Sequence, residues 1–160
     1  MDQVTTFMED NLKSYKRNND DKILTKTMIN NYAKAKLFPP PIKKKYSKNH
    51  LMLLIIIYHL KSILSINDIK KLLKPIIDEI NSNEKCETLE ILYNQFILLQ
   101  KFNKENLLID MSEQKKFFEK EEIINMKNSK QIILILTILL VSIKANTEKR
   151  LAEKIIDTYF

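Results

Sequence analysis

The chain has 160 residues, enough for one domain or one small domain with a helical extension, and its 44% hydrophobic and 29% charged residues describe a globular protein. It contains no Gly, which excludes a P-loop, a dinucleotide-binding glycine loop and a nucleophile elbow, and disfavours turn-rich β folds. Of the net charge of +7, nearly all sits early: residues 1–50 hold 11 Lys or Arg against 5 Asp or Glu, and residues 51–160 hold 16 against 15.

Lys and Ile are abundant and Arg is almost absent, a bias that A/T-rich codons produce, so the distribution of charge says more than its total. A positive first third is the electrostatic footprint of a polyanionic partner. The single cysteine, Cys86, cannot close an internal disulfide, which suits a reducing cytoplasm. The N-terminus carries no apolar signal segment.

In chain order, Val4, Phe7, Met8 and Leu12 recur at helical spacing and predict a short first helix over 2–13. Residues 13–22 are polar and read as a loop. Ile23 and Leu24 anchor the chain before Thr25, the N-cap of a helix over roughly 26–36. On that helix Thr27, Asn30, Asn31 and Lys34 fall within an arc of roughly 100°, with Met28, Ile29, Tyr32 and Ala33 filling the rest. The polar arc holds hydroxyl, amide and ammonium groups and no carboxylate. Base edges and phosphates offer mainly acceptors, and amides pair with adenine, so such a face suits DNA. An ordinary surface helix carries the same pattern.

Phe38 and the prolines Pro39, Pro40 and Pro41 must leave the helix as extended chain. Lys43, Lys44 and Lys45 then project charge, and Tyr46 returns toward the core, the pattern of a basic wing. Ser47 is the next N-cap. The helix over 51–64 is apolar nearly all round and is expected to be the central beam of the domain. His50 and His59 do not share a helical face, no metal-ligand spacing occurs, and both are expected to be structural.

Ser65 and Asp68 resemble a capping box. An apolar stripe from Ile66 to Ile80 follows, in which Pro75 either kinks the helix or starts a new one. Residues 81–85 read as a linker between a domain over 1–80 and a C-terminal region over 86–160. That region predicts a helix from Thr88 to about Phe102, and a polar break at Asn103 to Asn106. A mixed stretch from Leu107 to Met126 comes next, anchored by Phe117, Phe118, Ile123 and Ile124, with an acidic cluster at Glu119, Glu121 and Glu122. Ser129 to Ala145 is expected to be a buried helix. Its apolar run, Ile132 to Ile143, is shorter than the about 20 residues a bilayer requires. Asn146 or Thr147 is expected to cap a last helix bearing Leu151, Ala152, Ile155, Ile156 and Tyr159. These helices would close a bundle or a dimer seam.

The strings T-K-T-M-I-N-N-Y, L-F-P-P-P-I-K-K-K-Y-S and L-S-I-N-D-I-K-K-L-L resemble the winged helix-turn-helix of MerR-type transcription regulators. The resemblance is closer still to an uncharacterised family of low-GC bacterial proteins with that domain, and it covers roughly residues 2–80. It implies an all-α protein, a MerR-like winged helix-turn-helix with a small wing followed by a C-terminal helical bundle or extension. By position, it makes Lys26, Thr27, Asn30, Asn31 and Lys34 major-groove candidates. Lys43, Lys44 and Lys45 become wing contacts to phosphate, with Tyr46 at the wing's base. Three features depart from the MerR pattern: the first-helix isoleucine-glycine-glutamate string is missing, Asn stands where Arg is common, and the wing lacks Gly. The long dimer helix is also replaced by shorter predicted ones.

The expectation is therefore a cytoplasmic, dimeric DNA-binding transcription regulator with double-stranded DNA as partner. No cofactor, metal site or membrane association is expected, and no effector is identified. A helical protein-interaction or adaptor module that does not read DNA is the alternative. No carboxylate pair, Cys-His pair or metal cluster stands at usable spacing, so an enzyme is not expected.

Overall fold

The computed structural model describes residues 1–43, 45–82, 86–118 and 127–160. Its described elements are six α-helices: α1 (Asp2–Leu12), α2 (Lys26–Lys34), α3 (Lys48–Lys61), α4 (Ile66–Ser82), α5 (Glu87–Phe118) and α6 (Ser129–Tyr159), with a 3-10 turn at Lys13–Tyr15. No strand occurs among the described residues. The chain forms two compact units, one comprising Met1–Tyr93 with Ile155–Phe160, the other Asn94–Lys154.

The first unit is built on α3. Met52 through Ile57 are all buried, six consecutive residues that sample every direction around the helix. The other helices each bury one stripe: Val4, Met8 and Leu12 from α1, Ile29 and Tyr32 from α2, and Ile69, Leu73 and Ile77 from α4. Ile23, Leu24, Leu37 and Phe38 fill the spaces at the connections. Phe7, expected inside, remains partly exposed.

The starts of α2, α3 and α4 follow the expected caps Thr25, Ser47 and Ser65. The Thr25 hydroxyl oxygen accepts from the Met28 N–H at 3.1 Å. Ser65 closes a reciprocal pair with Asp68, accepting from its N–H at 3.2 Å and donating its hydroxyl to the carboxylate at 2.6 Å. At α5 the buried Cys86 is the cap, its Sγ accepting from the Leu89 N–H at 3.4 Å, and burial pushes the thiol pKa up.

Pro75 lies inside α4, which runs unbroken from Ile66 to Ser82, so of the two expected outcomes a helix break does not occur. Two expectations for the C-terminal part are corrected. The polar residues Asn103 to Asn106 do not interrupt α5, and Thr147 does not start a helix. A stretch of mixed polarity is as compatible with the exposed surface of a long helix as with a loop. Thr147 sits in the middle of α6, its hydroxyl donating back to the Ile143 carbonyl at 3.0 Å.

In the second unit α5 and α6 are joined by an ion pair between Asp110 and Lys144 at 2.9 Å. The apolar run Ile132 to Ile143 is not buried as expected: Leu134 is 62% and Ile138 65% exposed. An 18-residue stretch of α6 has a mean hydropathy of 1.5, the length and composition of a membrane-crossing helix, and none of it is buried. The acidic cluster Glu119, Glu121 and Glu122, the anchors Ile123 and Ile124, and the side chains of Phe117 and Phe118 lie outside the described residues.

Candidate nucleic-acid interface

The α2 face is set by what its other side buries. Ile29 and Tyr32 point into the unit, with Met28 and Ala33 half-buried beside them. Lys26, Thr27, Asn30, Asn31 and Lys34 are consequently all exposed. The side chains of Thr27, Asn30, Asn31 and Lys34 make no hydrogen bond or ion pair among the described residues, so their donors and acceptors are open to a ligand. Lys26 differs. It forms an ion pair with Asp2 of α1, and that ammonium holds the Asp2 carboxyl below its usual range. Asp2 thus places a carboxylate at one end of a face that has none of its own. No local pattern relates positions 2 and 26, and the pair was not legible in the sequence.

The end of α2 carries a device that sequence reading also missed. Lys36 adopts φ 60°, the left-handed region. The Leu37 N–H donates to the Tyr32 carbonyl and the Lys36 N–H to the Ala33 carbonyl, both at 3.0 Å. This is a Schellman motif, in which Gly normally occupies the left-handed position. A chain without Gly places Lys there, and Leu37 is drawn into the core behind it.

The segment after the prolines is a tight turn closed by the Lys45 N–H donating to the Ile42 carbonyl at 2.8 Å, with a single bridge between Ile42 and Lys45. Lys43 takes φ 48° there, the second non-Gly residue in the left-handed region. Lys43 and Lys45 are exposed and engage no ion pair among the described residues; Lys44 lies outside them.

The base of this turn is held by aromatic packing and one histidine. Phe38, Tyr46 and His50 form a cluster with centroids 5.5–6.5 Å apart. The half-buried Tyr46 has its phenol pKa raised by burial. The Ser47 N–H donates to His50 Nδ1 at 3.0 Å, and His50 Nε2 lies 3.0 Å from the Pro39 carbonyl. Because Nδ1 must accept, Nε2 carries the proton and donates to Pro39. His50 therefore caps α3 and ties down the start of the prolines. Burial lowers its pKa, against the raising effect of the proline carbonyls, which keeps the ring neutral at pH 7.

Among the described residues, no three His, Cys, Asp or Glu side chains form a metal-holding group. The arrangement is an exposed donor and acceptor face on one short helix, followed in the chain by an exposed, lysine-bearing turn with an anchored base.

The family described as a domain of unknown function, DUF1836, matches residues 1–96. That span includes the three strings on which the resemblance rests, and the match itself carries no link to MerR-type regulators. No curated protein and no solved structure matches the chain.

Proposed function

The chain belongs to the DUF1836 family, and from its exposed α2 face we propose that it is a DNA-binding transcription regulator with a MerR-like reading head. In this reading α2 enters the major groove. Thr27, Asn30 and Asn31 meet base edges, and Lys26 and Lys34 meet phosphates at the ends of the helix. Lys43, Lys44 and Lys45 lie on the backbone as a wing, with Tyr46 at its base. Affinity comes mainly from lysine–phosphate contacts and sequence preference from the amides.

The observation that carries the proposal is that every polar residue of the sequence-derived face is exposed, while Ile29 and Tyr32 on the opposite side are buried. A gel shift against random duplex at low salt tests it, with micromolar protein expected to retard the DNA. Asn30→Ala should then relax base preference at a cost of about 1–3 kcal/mol.

The same proposal includes a homodimer formed through the second unit. Leu98, Leu99 and Phe102 on α5, and Leu134, Ile135 and Ile138 on α6, are more than half exposed. Monomeric proteins rarely leave contiguous patches beyond a few hundred Å² uncovered. Two copies pairing these helices would form a four-helix arrangement. A bilayer fits α6 less well, since the uncharged residues 131–143 rise only about 20 Å against a hydrocarbon core of about 30 Å. These exposed apolar helices also favour the second reading, an adaptor that binds a helical partner. Absence of any duplex binding at micromolar protein would select that reading.

A further inference from the structure

Beside α2, on the first unit, lies a cavity of about 450 Å³ lined by residues that the DNA reading does not use. Its volume falls within the roughly 300–1,000 Å³ of small-molecule sites. Tyr15, from the turn after α1, meets His59 of α3 edge-to-face at 4.7 Å, and Tyr58 meets the same ring at 5.4 Å. Tyr32 of α2 completes the aromatic lining.

Tyr32 is only 4% exposed, yet its hydroxyl has no hydrogen-bond partner among the described residues. A buried tyrosine ordinarily finds one. No fully buried polar atom in the described structure lacks a partner, so this hydroxyl keeps some accessible surface, and Tyr32 is one of the residues that line the cavity. The hydroxyls of Tyr15 and Tyr58 are likewise unpartnered among the described residues.

Two ammonium groups complete the lining. Lys61 Nζ lies 5.8 Å from the centroid of the Tyr32 ring, and Lys22 comes from the loop before α2. Neither has an ion pair among the described residues, and no carboxylate lines the cavity. Burial raises the Tyr32 and Tyr58 phenols, helped at Tyr58 by the nearby Asp21 and Glu9 charges, and burial lowers His59. The phenols therefore remain donors and the imidazole remains uncharged at neutral pH. Aromatic walls, phenol donors and two unneutralised cations select one ligand chemistry, since a cationic ligand would meet the lysines and an aliphatic one would waste the rings.

We propose that this cavity binds a planar aromatic carboxylate, its ring against Tyr15 and His59 and its carboxylate held by Lys22, Lys61 and the tyrosine hydroxyls. Tyr32 belongs to the helix whose outer face is proposed to read DNA. A ligand touching it would couple to that face, a consequence that rests on the proposed function; binding itself does not.

The test is calorimetric titration of the full chain, without DNA, with 2-naphthoate. Two controls are 2-naphthalenemethanol, which lacks the charge, and cyclohexanecarboxylate, which lacks the aromatic ring. Saturable binding of one naphthoate per chain is expected, with each control at least about tenfold weaker. The double variant Lys22→Ala/Lys61→Ala, both exposed positions, should raise Kd about tenfold, and Tyr15→Leu should do the same, with far-UV circular dichroism unchanged. No saturable binding up to millimolar naphthoate overturns the proposal. So does equal binding of the uncharged alcohol, or binding untouched by the double variant. Because DNA is absent, the result stands whether or not α2 reads a duplex.

Discussion

Replacing Lys36 with Gly should stabilise the protein. Lys36 holds φ 60° at the end of α2, where a Cβ crowds the following carbonyl and costs roughly 1–2 kcal/mol. Gly removes that cost but loses more backbone entropy on folding, about 0.5–1 kcal/mol. The side chain is exposed, so no packing is lost. The balance is a gain of about 0.5–1 kcal/mol, which for a unit of this size raises Tm by about 2–6 °C. Thermal and urea unfolding followed by circular dichroism would measure it. Lys36→Ala is the control: it deletes the charge but keeps the Cβ, and should leave Tm nearly unchanged. If Gly and Ala gave the same Tm, the strain assigned to the left-handed position would be refuted.

Three further outcomes follow from the geometry. His50 has a folded pKa below its ordinary 6.5, so its contribution to stability is fully present above that value and is lost as pH falls from 6.5 through the folded pKa. His59 acts in the same direction. His50→Gln, which can still accept from the Ser47 N–H, should flatten the stability profile between pH 7 and 5 when measured by urea unfolding; an unchanged slope would contradict the lowered pKa that burial gives His50. Asp2→Asn frees Lys26 and removes the carboxylate at the edge of the face, so it should tighten duplex binding in a gel shift, whereas weaker binding would show that Asp2 supports the face. Lys43→Ala with Lys45→Ala should flatten the dependence of log K on log salt by up to about 0.9 for each phosphate no longer neutralised, and an unaltered slope would remove the turn from the interface.

What could be read from the sequence was the set of features with a local cause. Thr25, Ser47 and Ser65 announce helix starts through side chains that act within three residues of their own position. The unbroken apolar stretch of α3 announces a helix touched on all sides, and the arc of α2 separates Ile29 and Tyr32 from Asn30 and Asn31. The capping role of His50 was not read because Glu or Gln normally occupies that position. The Asp2–Lys26 pair and the convergence of Tyr15, Tyr32, Tyr58 and His59 join separate elements, so no periodicity reveals them.

The long helices depart from expectation for a different reason. The polar run Asn103 to Asn106 suggests a loop, whereas the exposed surface of a helix tolerates the same polarity and α5 continues through it. Ile132 to Ile143 looked like a core because apolar side chains ordinarily find cover within their own chain. Here Leu134 and Ile138 do not, which is the basis for proposing a second copy as their cover.

Selection of bound duplexes from a fully random pool tests the reading of α2 most directly. Enrichment of one sequence is expected, with two inverted half-sites about one helical turn apart, and it should disappear for Asn30→Ala/Asn31→Ala. A pool that remains random after repeated rounds with the intact chain would contradict the assignment of this helix to a DNA groove.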